Sequence, residues 1–231
     1  MSTKKIHRFL VETLPDTEAF TISDTAIVHQ IVNVLHISVG EQCIFFTSGS
    51  DDNVCEIVAT TKNSIEVHVI NTIPAIPTPN NRTIIAAIGI PKGDTFELMV
   101  QKLTEIGVHT IVPIISSRTV KQSVRLERLQ VISDEALEQC GGSTRVTIHE
   151  PMTLQSCLDT FKQRSIVFHA EATILGSAKP QETLVYYIGP EGGWSDEDES
   201  LFASHKTEEW SLGPRVLRTE TAAIIAAYML C

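Results

Sequence analysis

Twice near its C-terminal end the chain runs from a short apolar segment into Gly-Pro and then into residues able to start a helix. Leu184 to Ile188 leads into Gly189-Pro190, and Trp210 to Leu212 leads into Gly213-Pro214. An apolar run closed by Gly-Pro reads as a strand entering a tight turn, because proline cannot continue a ladder and glycine permits a reversal. The stretches Ile188-Gly-Pro-Glu-Gly-Gly-Trp-Ser195 and Leu212-Gly-Pro-Arg-Val-Leu-Arg-Thr-Glu-Thr221 are therefore expected to form one site from two strand ends. Glycines let a ligand approach the backbone, but Pro190 and Pro214 each remove a main-chain N–H donor. A phosphate cradle needs a run of such donors, and neither Gly-Lys-Ser/Thr nor Gly-x-Gly-x-x-Gly occurs in the chain. A ligand with a base and a sugar but no phosphate suits these turns. Taken alone, Gly-Pro-Glu-Gly-Gly also describes a plain connecting turn. The second turn, with its Arg-Thr-Glu-Thr, argues for a site.

Upstream, the pattern divides the chain. Residues 1–72 read as a small β-rich domain, with a strand over Ile6 to Val11 and a helix over Thr25 to Ile37. Short strands follow over Gln42 to Thr47, Val54 to Thr60 and Ser64 to Ile70. Pro74, Pro77 and Pro79 mark 73–82 as a stiff linker. Over 83–231 strands alternate with helices, which predicts an α/β domain with a mostly parallel sheet covered on both faces. There Asp94 and Glu97 have the spacing of a capping box, ahead of an apolar helix face of Phe96, Met99, Val100, Leu103 and Ile106. Further helices are expected over Ser123 to Cys140, near Thr153 to Gln163, and over Leu217 to Leu230.

Composition excludes several classes of function. The net charge of −10 argues against non-specific nucleic-acid binding, although Arg118, Lys121, Arg125 and Arg128 form a local basic run. That run equally describes a solvated helix face. Five scattered cysteines without a Cys-x-x-Cys pair, and histidines without His-x-x-x-His spacing, give no disulfide framework and no metal site. No apolar run approaches the ~18 residues of a membrane span, so a cytoplasmic protein is expected.

The paired Gly-Pro stretches resemble the two signature motifs of the RsmE family, the bacterial 16S rRNA uridine N3-methyltransferases. The resemblance extends to His7-Arg8-Phe9, Lys92-Gly93-Asp94, Gln101-Lys102-x-x-Glu105-Ile106-Gly107-Val108, Ser117-Arg118 and Glu138-Gln139-Cys140-Gly141, in the family's order. It implies S-adenosylmethionine, a phosphate-free cofactor, held by Ile188, Gly189, Pro190, Gly192, Leu212, Gly213, Leu217, Arg218 and Thr221. It also implies a PUA-like β-barrel RNA-binding domain ahead of a SPOUT-type domain with a trefoil knot, a homodimer, and 16S rRNA of the small ribosomal subunit as partner. Arg8, Arg118 and Lys121 would meet RNA. Two departures stand out: Thr95 and Phe96 follow Lys-Gly-Asp, and Gly142 occupies a place where relatives usually carry Arg, with Arg145 three positions on.

Methylating uracil N3 requires removal of its proton, which leaves negative charge on O2 and O4. A guanidinium would stabilise that charge, and Arg218 is the first candidate. Glu220 is a candidate base, as is Glu191, though carboxylates in such turns also act as caps or dipole partners. Two other functions fit the same residues: a non-catalytic RNA-binding ribosome-assembly factor, and a ribose 2′-O-methyltransferase of the same fold.

Overall fold

The computed structural model describes residues 6–76, 82–119, 123–169, 172 and 182–231. Two compact units form, one from residues 1–77 with 137–145 and the other from residues 78–136 with 146–231.

The first unit contains β1 (His7–Leu10), β2 (Ala19–Ile22), α1 (Thr25–His29), β3 (Gln42–Phe46), β4 (Asp52–Thr60) and β5 (Ile65–Ile73). Its sheet order is β1-β3-β4-β5-β2, with β1 parallel to β3 and the other pairs antiparallel. Phe9, Phe45, Ile57, Ile65 and Val67 build its core, joined by Val28 and Ile31. The helix expected to reach Ile37 is shorter. Asp24 caps α1 by accepting from Ala26 N and Ile27 N, but Gln30–Val34 widens into a π-helical turn. His36 then adopts φ 52, which ends the helix and lets Ile37 turn into the core. β2 was not expected from sequence.

The segment 137–145 belongs to this unit, and Arg8 gathers much of it. Arg8 Nε and Nη2 donate to both oxygens of Asp52 at 2.8 Å. Nη1 donates to the Leu137 and Glu138 carbonyls, and Nη2 to that of Gly142 at 3.0 Å. The guanidinium also lies 4.1 Å over the Phe46 ring. All five guanidinium N–H groups are thus satisfied internally, and the side chain is only 10% exposed. This corrects the expectation that Arg8 meets RNA, since no donor is left for phosphate. Leu10 N donates to Glu138 Oε1 at 2.8 Å, and Arg145 Nη1 donates to Glu12 Oε1 at 2.9 Å. The Glu138-Gln139-Cys140-Gly141 stretch and Arg145 therefore serve the first unit's own structure.

The second unit contains β6 (Thr83–Gly89), α2 (Thr95–Ile106), β7 (Thr110–Ile115), most of α3 (Leu126–Cys140), β8 (Thr147–Ile148) and β9 (Met152–Thr153). After these come α4 (Leu154–Thr160), β10 (Arg164–Phe168), β11 (Thr183–Ile188), α5 (Asp196–Ser204), β12 (Glu208–Trp210) and α6 (Thr219–Leu230). The sheet runs β12-β10-β11-β6-β7-β8, with β9 also on β7, and every pair is parallel. Strand residues alternate between two cores. Ile84, Ala86, Ile88, Leu184, Tyr186 and Ile188 pack toward α2, α3 and α6, whereas Ile85, Ala87, Val185 and Tyr187 pack toward α4 and α5. A sheet buried on both faces needs such near-continuous apolar strands.

The capping box expected at α2 does not form. Asp94 makes no side-chain cap bond, and Glu97 is held instead by Arg125 and Arg128, each at 3.4 Å. Two members of the basic run are thereby engaged in ion pairs, and Lys121 lies outside the described residues. Among the described residues no helix is long and apolar enough to cross a membrane, and no cluster of His, Cys, Asp and Glu suits a metal ion.

Candidate functional site

Parallel strands end together, and ligands of α/β sheets bind beyond those carboxyl ends. Here β10, β11 and β12 run out beside one another into a cavity of about 630 Å³, within the usual size for a small-molecule site. Phe168 and His169 come from the end of β10, Ile188 to Glu191 with Gly193 and Trp194 from the end of β11, and Leu212, Gly213 and Arg215 to Thr219 from the segment joining β12 to α6. Phe168, which lines the cavity, is braced from behind by edge-to-face contacts with Tyr186 and Trp210.

The first Gly-Pro turn closes through Gly193 N donating to Pro190 O at 2.8 Å, with Gly193 at φ 67. β6 presses against it so closely that a Cβ on Gly89 would stand 2.5 Å from Pro190 N, so only glycine fits there. In the second turn Gly213 adopts φ 113, and its N–H donates to Ser211 Oγ at 3.1 Å. The turns are joined directly: Thr219 Oγ1, in the first turn of α6, donates to the Gly189 carbonyl at 3.2 Å. The space beside Gly213 is open, with nothing within 4 Å of where a Cβ would sit.

Of the residues expected to hold the cofactor, Ile188, Gly189, Pro190, Leu212, Gly213, Leu217 and Arg218 line this cavity together, and so does Glu220. Gly192 and Thr221 do not. The Gly192 carbonyl faces Arg118, whose Nη1 donates to it at 2.9 Å. Thr221 stands in the first turn of α6 between Glu220 and Ala222, which do line the cavity. Arg218 is the exposed N-cap of α6, and among the described residues its guanidinium makes no hydrogen bond or ion pair. Glu220 occupies the first turn of that helix, where the helix N-terminus favours its charge. Glu191 is exposed and accepts from Lys92 N at 2.9 Å, so it braces the neighbouring loop.

Sequence reasoning missed Phe168, His169, Thr95, Val216, Thr219 and the lining role of Trp194. Phe168 and His169 end a strand of their own, and only the sheet order brings that strand beside β11. Trp194 Nε1 and His169 Nε2 are buried without a hydrogen-bond partner among the described residues. His169 Nδ1 lies 3.5 Å from Glu199 Oε1. Burial pushes the Glu199 carboxyl above its ordinary range, opposed by His169 and reinforced by Glu209, Asp198 and Asp196. Tyr186, pushed far up by burial, donates its phenol to the Ala223 carbonyl at 3.2 Å and stays protonated.

The family model of an RNA methyltransferase domain matches residues 78–230. Ribosomal RNA small subunit methyltransferase E of Bacillus subtilis is 30% identical over 221 residues, spanning 86% of this chain and 84% of the relative. The solved structure of the Neisseria gonorrhoeae protein of the same name, bound to S-adenosyl methionine, matches with a TM-score of 0.86 at 28% identity, covering 96% of this chain and 95% of that one. A Legionella pneumophila methyltransferase in complex with the bound cofactor matches at 0.86 and 27% identity, covering 97% of this chain and 96% of that one.

Proposed function

From the chain's membership of the RNA methyltransferase family that includes ribosomal RNA small subunit methyltransferase E, we propose that it moves the methyl group of S-adenosylmethionine to N3 of one uridine in 16S rRNA. The observation that carries this reading is the direct tie between the two Gly-Pro turns, Thr219 Oγ1 to Gly189 O, around a cavity that Arg218, unpaired among the described residues, also lines.

The residues present fit the cofactor. Gly189, Pro190, Leu212, Gly213 and Leu217 would hold its nucleoside against an apolar floor, and the open space at Gly213 admits it close to the backbone. When bound, S-adenosylmethionine supplies an electrophilic methyl group and leaves as a neutral thioether, so orientation can provide much of the acceleration. Arg218 would face the uracil and stabilise the charge that spreads to O2 and O4 on loss of the N3 proton. Glu220 stands beside it as the carboxylate able to take that proton.

The same reading takes the first unit as a PUA-like barrel that binds RNA and the second as a SPOUT domain whose chain passes through a trefoil knot. The protein would work in the cytoplasm as a homodimer on the small ribosomal subunit. Calorimetry with S-adenosylhomocysteine and nucleoside mass spectrometry of 16S rRNA, from cells with and without the gene, test the proposal. Gene-dependent 3-methyluridine is the expected result. Gene-dependent ribose methylation would replace N3 with a 2′-hydroxyl, and a folded protein that binds no cofactor would be a ribosome-assembly factor.

A further inference from the structure

Ser117 and Arg118 lie outside the cavity lining, yet both side chains reach the loop that forms it. Arg118 Nη1 donates to the Gly192 carbonyl at 2.9 Å, and its stem packs close enough that a Cβ on Gly192 would stand 3.3 Å from Arg118 Cβ. Ser117 Oγ donates to Asp198 Oδ2 at 2.9 Å and lies 2.6 Å from Ser195 Oγ. Asp198 is 4% exposed and also accepts from Ser195 N at 2.9 Å. The dipeptide is itself fixed at the end of β7, where Ser116 N donates to Thr119 Oγ1 at 2.9 Å and Thr119 N returns a bond to Ser116 O at 3.1 Å.

Gly193 and Trp194, both on the cavity wall, stand between these two anchors. Gly193 sits in the left-handed region, and without anchors on both sides glycine would make that stretch of loop the easiest part of the wall to rearrange. We propose that Ser117-Arg118 is a clamp on the cofactor loop, and that Arg118 is a positioning residue acting on cofactor affinity through the Gly192 backbone before any contact with RNA. This rests on the cofactor reading of the cavity given above.

Calorimetric titration of the full-length protein with S-adenosylhomocysteine, in the absence of RNA, tests the clamp. Loss of one net hydrogen bond corresponds to roughly two- to tenfold in affinity. Arg118→Ala and Ser117→Ala are each expected to weaken binding by about that factor, and Arg118→Lys to recover most of it, since an ammonium also donates to a carbonyl. In steady-state assays the KM for S-adenosylmethionine rises for Arg118→Ala. Arg118 is exposed, so its variants should melt within roughly 2–4 °C of the wild type. Should Ser117→Ala melt early, the Arg118 pair decides alone. Folded Arg118→Ala that binds S-adenosylhomocysteine as wild type does, with only the KM for RNA raised, overturns the clamp. Wild type that takes up no S-adenosylhomocysteine overturns the proposed function and the clamp together.

Discussion

Gly213 holds a backbone conformation that L side chains resist, beside open space in the cavity. Gly213→Val should therefore act twice, straining the turn by about 1–3 kcal/mol and filling the space the ligand needs. Gly189 differs, because its φ lies outside that region and a Cβ would instead meet Trp194 Cε2 at 3.3 Å. Both valine variants should lose S-adenosylhomocysteine binding in calorimetry, and only Gly213→Val carries the backbone strain. Arg218→Lys keeps the charge but loses the planar fork, so turnover should fall at least about tenfold, or ~1.4 kcal/mol, with cofactor affinity retained. A single-turnover rate equal to wild type would move the proposed anion-stabilising role to another cation of the cavity wall, such as Arg215. At this scale residue types were legible and roles less so. The Gly-Pro turns announce themselves locally. Arg8 does not, since its acceptors stand 44 and as many as 134 positions away in the chain.

Among the elements, β6 and β11 were readable because both of their faces are buried, and a run of Ile, Ala, Val and Tyr has no polar interruption. β8 was readable as the short apolar run Val146 to Ile148, whereas β9, with two residues, carries no pattern of its own and is held in the sheet by its pairing with β7. Helix α2 was legible from its apolar face, while its N-terminus was not, because Arg125 and Arg128 draw Glu97 away from the cap. Leu103 is fully buried on that face among the residues packed toward α6. Leu103→Ala is expected to cost about 2–5 kcal/mol in denaturant unfolding, and an unshifted midpoint would show that the packing relaxes around the loss.

For the whole molecule, the α6 surface matters most to assembly. It buries Ala223, Ala226, Ala227 and Leu230, yet leaves Ile225, Tyr228 and Met229 exposed, with Tyr228 78% accessible. Such a face suits a symmetric mate. Light scattering should give twice the 25.4 kDa chain mass, and Tyr228→Glu should return the protein to a single chain. A wild-type monomer at every concentration would remove the homodimer from the proposal. The division of the chain, unlike its elements, could not be read from linker composition, because residues 137–145 return to the first unit after the linker has been passed. That return governs how the protein can be cut. Three of the five hydrogen bonds to Arg8 come from the returning segment, so a fragment ending before it would keep the arginine and Asp52 but strip away the carbonyls around them. Truncations at the linker, and chimeras that exchange only the leading residues between homologues, would damage the first unit while seeming to spare it. A deletion meant to isolate one activity would then report on folding instead.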